Sequence, residues 1–215
     1  YGTLIDIHTD EEDKRFWNKV AKKVAKYHFY TPEDLKNNYK KLCEEKQQYI
    51  EEIEILDVFE ELLNITREKS EEVAWMFRKA STQYIRLYKG VKQLLKKLKS
   101  EGYSLYVLSN AQEAFTMPEL KKLGIMHYFD GIAISSKYGV KKPNLEFFQR
   151  AIKNFNAKGE IWMVGNDAEC DIYPAEKLGL NTIFIESNLT FNKIRKPDFI
   201  GFSYKKIYLK ILNRY

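Results

Sequence analysis

The sequence is poor in the residues that build disulfide frameworks and zinc sites. It has two cysteines, Cys43 and Cys170, and three histidines in 215 residues. Because the two cysteines lie in unrelated sequence contexts, neither a disulfide framework nor a zinc centre is expected. No stretch approaches the ~18 consecutive apolar residues of a membrane span, and the first residues do not resemble a secretion signal. We therefore expect a cytoplasmic protein with no membrane partner.

Charge of one sign is not concentrated in any part of the chain. The chain has 36 lysine and arginine residues against 30 aspartate and glutamate residues, for a net charge of +6. A nucleic-acid-binding surface rewards clustered cations, because they neutralise phosphates. Here the lysines are spread along patterns such as "LLKKLKS", which are typical of solvated helix faces. We therefore expect no nucleic-acid partner.

Glycine is absent between Gly2 and Gly90, and the same stretch has almost no strand pattern. Its apolar residues recur three and four positions apart, as on one face of a helix. Thr31 followed by Pro32 is typical of a helix start, since threonine caps the helix and proline suits its first position. The sequence predicts four or five helices before Gly90.

After Gly90 the pattern changes to short apolar runs that alternate with amphipathic helices. The predicted strands are "SLYVLSN", "GIAIS", "IWMVGND", "NTIFIES" and the short "DFIGF", and the predicted helix "YKKIYLKIL" ends the chain. A parallel return between strands needs a crossover, usually a helix. The sequence therefore predicts an α/β fold with a parallel sheet covered by helices on both faces.

Polar residues lie at four predicted strand ends, where a bare apolar core would not hold them. In open parallel sheets, ligands bind at the carboxyl ends of the strands. We therefore expect these four groups to converge on one site. They are Gly2 with Thr3, Ser109 with Asn110, Lys142, and the group Asn166, Asp167 and Asp171.

The order of these groups resembles the haloacid dehalogenase superfamily, whose members are mostly aspartate-nucleophile phosphatases. Tyr1-Gly2-Thr3-Leu4 is similar to the second half of the first family motif, and "YVLSN" to the second. "GVKKPN" is similar to the third motif and "VGNDAECDI" to the fourth. The resemblance implies a Rossmann-like core made of residues 1–9 and 90–215, with residues 10–89 inserted as an α-helical cap.

The resemblance also implies a role for each motif residue. Ser109 would donate to a phosphoryl oxygen, and Lys142 would neutralise both the nucleophile and the phosphate. The structural alternative for Ser109 is a helix N-cap. Lys141, next to Lys142, is expected to face solvent. The implied catalytic set is Tyr1, Thr3, Ser109, Asn110, Lys142 and Asp171, and the implied substrate-binding set is Gly2, Ser109, Asn110 and Lys142.

A Mg²⁺ cofactor is implied by the fourth motif, because this cation prefers oxygen ligands. The spacing allows two registers, with Asp167 or Asn166 as the first ligand before Asp171. Asp171 could instead cap the helix that follows it. The implied ligand set is the backbone carbonyl of Tyr1 together with Asn166, Asp167 and Asp171.

The family motif places the aspartate nucleophile two residues before Tyr1, so we expect it upstream of the first residue. We also expect a central strand of about six residues there. Most phosphatases of this kind have a second aspartate at the position of Tyr1, which acts as general acid. Tyrosine is less suited to that role, since its unperturbed pKa is about 10.

These features predict a Mg²⁺-dependent phosphatase that hydrolyses a small phosphorylated metabolite through an aspartyl-phosphate and favours good leaving groups. The first alternative is a 2-haloacid dehalogenase, which also has tyrosine at this position. That class has Ser-Ser-Asn where this chain has Gly165-Asn166-Asp167, and tyrosine where this chain has Phe148. The second alternative is a binding or regulatory protein without catalysis. We expect a monomer or a homodimer.

Overall fold

Strands and helices alternate through most of residues 1–212, which are the residues described by the computed structural model. The last three residues of the predicted core, 213–215, lie outside them. No helix within the described range is long and apolar enough to cross a membrane. The helices are α1 (Lys14–Val24), α2 (Pro32–Gln47), α3 (Ile55–Leu63), α4 (Arg67–Ser81), α5 (Val91–Ser100), α6 (Glu113–Lys122), α7 (Ser135–Tyr138), α8 (Leu145–Asn154), α9 (Tyr173–Lys177) and α10 (Tyr204–Ile211). A 3₁₀ turn, Met126–Tyr128, and a π-helical turn, Ala168–Ile172, lie between them.

The five strands predicted after Gly90 are all present, and they pair in parallel. The strands of the structure are β1 (Ile5–Thr9), β2 (Thr82–Leu87), β3 (Tyr106–Ser109), β4 (Gly131–Ile134), β5 (Trp162–Gly165), β6 (Asn181–Glu186) and β7 (Phe199–Ile200). β3 pairs with β4, β5 with β6, and β6 with β7. The predicted α/β class with a parallel sheet is therefore confirmed.

The four helices α1–α4 pack around a cluster of aromatic side chains. Phe77 of α4 lies at its centre, and its ring contacts the rings of Phe16, Trp17, Tyr39 and Phe59. The Phe16 and Phe77 rings meet edge to face, with centroids 4.8 Å apart, a geometry that the aromatic quadrupole favours. The aromatic residues of this segment thus form a core of its own, as their helical spacing predicts.

One part of the predicted helical stretch is a strand. Residues 82–87 form β2, which pairs antiparallel with β1 in the register Ile5 to Leu87 and Ile7 to Ile85. The prediction of helix up to residue 89 is therefore wrong for this segment. The physical reason is its two-residue alternation, "TQYIRL", which suits a strand with one face on the core once β1 lies beside it.

A cavity of about 630 Å³ lies between β3 and β5. Within the described residues, β3 pairs only with β4, and β5 only with β6. Val107 and Leu108 line the cavity from one strand, Trp162 and Val164 from the other, and it extends to Lys142 at the strand ends.

Replacing Phe77 with alanine tests the aromatic cluster as the core of α1–α4. The Phe77→Ala variant should lose about 3–5 kcal/mol of unfolding free energy, because a large side chain that is 1% exposed leaves a cavity. Urea unfolding measures the loss. Phe29→Ala is the matched control: that side chain is 79% exposed, and its loss should stay within about 0.5 kcal/mol. Equal losses in the two variants would contradict the assignment.

Candidate functional site

A buried ion pair lies where the ends of β3 and β5 approach each other. The ammonium of Lys142 donates to Oδ1 of Asp171 at 2.6 Å and to the backbone carbonyl of Leu108 at 3.0 Å. Lys142 is 8% exposed and Asp171 is 4% exposed. Two buried charges need each other, since removing either partner leaves an uncompensated charge. The structure thus brings together two residues that the motifs predicted for one site.

Asn110 fixes the backbone of Lys142. Its Nδ2 donates to the Lys142 carbonyl at 2.8 Å, and its Oδ1 accepts from the Lys142 amide at 2.8 Å. Both polar ends of the amide are thereby engaged by one residue. Asn110 thus holds the lysine-bearing loop at the end of β3, and its predicted contact with substrate stays a prediction.

The second carboxylate oxygen of Asp171 reaches back to the end of β5. Oδ2 accepts from the backbone amides of Asn166 at 3.0 Å and Asp167 at 3.1 Å. The π-helical turn Ala168–Ile172 makes this return possible, and such turns often occur at functional sites. A Cβ atom at Gly165 would overlap the Asp171 side chain, so this approach requires glycine. Asp171 therefore binds the strand end and does not cap α9.

Asn166, and not Asp167, contacts the segment that holds Gly2 and Thr3. Asn166 is buried, its Oδ1 accepts from the Thr3 hydroxyl at 3.0 Å, and its Nδ2 donates to the Leu189 carbonyl at 3.0 Å. Gly2 has a positive φ of 81°, and a Cβ there would overlap the Asn166 amide. Packing therefore requires glycine at this position.

Asp167 serves as a helix cap. Its carboxylate accepts from the backbone amides of Glu169 and Cys170, both at 2.9 Å, and from the side chain of Asn192. Of the two registers that the sequence left open, the structure brings the Asn166 side chain to the first motif and directs the Asp167 carboxylate to the π-helical turn. The sequence could not separate them, because both residues directly follow the same strand.

Ser109 ends β3 and lines the same cavity as Thr3, Lys142, Asn166 and Asp171. Its structural alternative was a helix N-cap, but the N-cap of the following helix is Gln112. Ser109 is therefore a cavity-lining residue and not the N-cap of α6. Residues from all four groups at the predicted strand ends therefore lie around one cavity.

Tyr1 directs its hydroxyl away from these groups and towards α6. The phenol donates to the carboxylate of Glu119 and lies 3.2 Å from the Thr116 hydroxyl. Burial, reinforced by the Glu119 charge, raises the pKa of the Tyr1 phenol. Glu119 in turn accepts from Arg78 at 2.7 Å. Glu119 and Thr116 could not be identified from the sequence, because the helical pattern of α6 does not show which of its polar residues is buried.

The donor set suits a hard cation. Asn166 and Asp171 carry side-chain oxygen atoms, which hard cations prefer as ligands. Among residues 1–212, no three His, Cys, Asp or Glu side chains gather into a metal-binding group. Mg²⁺ often binds through one or two carboxylates plus waters and substrate phosphate. The residues present therefore fit Mg²⁺ in kind.

Comparison with known proteins gives a family match over most of the chain. A family model described as haloacid dehalogenase-like hydrolase matches residues 1–179. A glyceraldehyde 3-phosphate phosphatase from Methanothermobacter thermautotrophicus is 39% identical over 94 residues, which cover 43% of this chain and 42% of that protein. The chain thus spans less than half the length of this curated relative.

Two solved structures share the fold. A 2-haloacid dehalogenase from Pseudomonas syringae superposes with a TM-score of 0.63 at 18% identity, covering 97% of this chain and 95% of that one. A haloacid dehalogenase-like hydrolase from Bacillus subtilis, bound to magnesium, superposes with a TM-score of 0.55 at 17% identity, covering 98% and 94%. Both likenesses concern the fold alone.

Replacing Asn110 with alanine tests its hold on the Lys142 loop. The Asn110→Ala variant should lose about 1–3 kcal/mol of unfolding free energy, because the Lys142 amide and carbonyl lose their partners. Chemical denaturation measures this loss. Asn38→Ala is the control: its exposed amide bonds only to the carbonyl one helical turn earlier, and its variant should stay within about 0.5 kcal/mol of the parent. A neutral Asn110 variant would contradict the clamp.

Proposed function

Because this chain belongs to the haloacid dehalogenase-like hydrolases, we propose that it is a Mg²⁺-dependent phosphatase of a small phosphorylated metabolite. The observation that carries the proposal is the buried Lys142–Asp171 pair in a cavity also lined by Thr3, Ser109 and Asn166. A fixed ammonium beside hydroxyl donors is an arrangement that binds a phosphoryl group. The curated relative's name, glyceraldehyde 3-phosphate phosphatase, supports a small sugar phosphate or a related compound as substrate.

Lys142 is the main anion-binding group of this proposal. Its ammonium is a compact charge with three donors, and two of its contacts are the Leu108 carbonyl and Asp171. A third N–H direction remains for a phosphoryl oxygen or for the nucleophile carboxylate. The clamp by Asn110 keeps the ammonium in place while charge develops on the phosphoryl group.

Thr3 and Ser109 are the polar hydroxyls of the site. Ser109, at the end of β3, donates to a phosphoryl oxygen in this proposal. Thr3 donates to Asn166 and thereby orders the first motif against the fourth. Gly2 allows this close approach, because a Cβ atom there would overlap the Asn166 amide. Preorganised donors of this kind stabilise transition-state charge at little reorganisation cost.

When bound, Mg²⁺ supplies charge neutralisation to the phosphoryl group. The residues that would hold it are the Tyr1 carbonyl, Asn166 and Asp171, with Asp167 as the second register. The aspartate predicted two residues before Tyr1 is the proposed nucleophile. It attacks phosphorus and expels the alcohol or acid; water then hydrolyses the aspartyl-phosphate and releases inorganic phosphate.

The helices α1–α4 form the proposed cap, with the core made of residues 1–9 and 90–215. The loop before α3 already meets the core: Gln112 donates to the Ile53 carbonyl at 2.9 Å and accepts from the Ile55 amide at 2.8 Å. A cap in this position excludes water and selects the substrate. As part of this proposal, the chain belongs to the helical-cap subgroup whose first motif is Asp-x-Tyr-Gly-Thr-Leu. Tyr1 would be the tyrosine of that motif.

Substituting Lys142 tests the anion-binding role. The Lys142→Met variant should lose about 100-fold or more of its phosphatase kcat, since it removes a charge that stabilises the transition state. Phosphate release from p-nitrophenyl phosphate measures the loss, and circular dichroism checks that the variant folds despite the unpaired Asp171. Lys141→Met is the matched control, because Lys141 lies 3.9 Å from Glu52 outside the site. Similar losses in the two variants would contradict the role of Lys142.

The leaving-group preference tests the consequence of tyrosine at position 1. With the Tyr1 hydroxyl engaged by Glu119, acetyl phosphate and p-nitrophenyl phosphate should turn over at least about tenfold faster than an alkyl phosphomonoester, whose leaving group needs a proton. Colorimetric phosphate release measures both rates, with and without a chelator. Equal rates would refute the preference, and full activity in chelator would refute the metal.

Halide release from a 2-haloacid distinguishes a dehalogenase from a phosphatase, and it can be measured beside the phosphate-release assays. Turnover of the haloacid without phosphate release would replace the phosphatase proposal. A chain that binds but turns over neither substrate would support the non-catalytic alternative.

A further inference from the structure

A second buried polar cluster lies next to the site. It consists of Tyr1, Arg78 of α4, and Thr116 and Glu119 of α6, and we refer to it as the Tyr1 cluster. Glu119 is 2% exposed and Arg78 is 9% exposed. Arg78 Nε donates to one carboxylate oxygen of Glu119 at 2.7 Å, and the Tyr1 hydroxyl donates to the other. The carboxylate thus bridges the two residues.

Burial makes the charges of this cluster costly, because they lose contact with water. The Arg78 guanidinium lies 5.4 Å from the centre of the Tyr1 ring and 5.2 Å from that of Phe115, and these cation–π contacts offset part of that cost. Replacing a buried ion pair with apolar side chains of similar volume is often neutral or stabilising. General stability therefore gives little reason for charges at this position. The charged pair instead fixes the orientation of the Tyr1 side chain, because the Tyr1 hydroxyl donates to Glu119 on α6.

The Tyr1 cluster joins three parts of the fold. Arg78 belongs to the helices α1–α4, and its carbonyl accepts from the Thr82 hydroxyl at 2.6 Å, where β2 begins. Glu119 belongs to α6, the helix that follows Ser109. Tyr1 directly precedes Gly2, whose amide donates to the Ile5 carbonyl at 2.9 Å. The position of α4 is thereby linked to the segment that presents Thr3 to Asn166.

We propose that Glu119 and Arg78 are positioning residues that act through Tyr1, holding the Gly2–Thr3 segment in register with Asn166 and coupling it to α4. The catalytic part of this inference rests on the proposed phosphatase function. In this arrangement the Tyr1 hydroxyl is an anchor and does not contact the reacting atoms. Its loss changes the geometry of the site, so it lowers kcat more than it raises KM.

A set of three variants tests the inference: Tyr1→Phe, the double variant Arg78→Met/Glu119→Leu, and the triple combination. The double variant removes both charges without leaving one unpaired, so it should unfold at a midpoint close to that of the parent. We expect Tyr1→Phe and the double variant each to lose about tenfold in kcat, equivalent to ~1.4 kcal/mol. KM should stay within about twofold of the parent value. The triple variant should lose no more kcat than the double variant, because the double variant already removes the partner through which Tyr1 acts.

Two matched controls should retain the parent kcat. Tyr84→Phe removes a hydroxyl that bonds to Asp6 at 3.3 Å in the β1–β2 pair. Glu113→Leu removes the partner of Lys137 from the same helix as Glu119. If the double variant keeps both the stability and the kcat of the parent, the cluster has no positioning role and the inference fails. Additive losses in the triple variant would also overturn it, because Tyr1 would then act independently of Glu119.

Hydrogen exchange gives a readout that does not need phosphatase activity. Amides of residues 2–5 should exchange at least about tenfold faster in Tyr1→Phe and in the double variant, because the segment loses its anchor and opens more often. The two controls should match the parent. Unchanged exchange would overturn the inference whether or not the protein releases phosphate. A parent that releases none would refute only the proposed function and the kcat prediction.

Discussion

The buried ion pair between Lys142 and Asp171 is the interaction on which the site depends. Its two charges are stable there because each is held from a second direction. The Lys142 ammonium also donates to the Leu108 carbonyl, Asn110 fixes the lysine backbone, and the amides that follow β5 donate to the second oxygen of Asp171. Breaking such a pair leaves a charge in a medium that solvates it poorly, at a cost of about 3–5 kcal/mol. The loop that carries Lys142 and the turn that follows β5 are therefore joined by electrostatics at the strand ends.

Two polar clusters lie around this pair and have different contacts. The first, with Ser109, Thr3 and Asn166, lines the cavity and is the phosphate site of the proposed function. The second, around Glu119, faces α4 and holds Tyr1 away from that site. The same family fold serves dehalogenation in one structural neighbour and is bound to magnesium in another. The function is consequently argued from the side chains at the strand ends and not from the fold.

Much of the architecture could be predicted because it depends on local patterns. Apolar runs separated by amphipathic helices predict parallel strands with crossovers, and β3 to β7 confirm this. The prediction is wrong at residues 82–87, where strand formation depends on pairing with β1, a partner more than seventy residues earlier in the chain. The registers of the fourth motif also remained open, since adjacent residues after a strand can point to either side. Packing against Gly2 selects Asn166 to face the first motif.

The sequence by itself determined the α/β class, the order of the four polar groups along the chain, and the family they resemble. These features follow from periodicity and from residue type, which do not require knowledge of distant contacts. Only the tertiary structure decided what each polar group binds: Asn110 the lysine backbone, Asp167 a helical turn, and Tyr1 a carboxylate on α6. The physical reason is that a buried polar group must find a partner, and its partner is chosen by the folded neighbourhood and not by position along the chain.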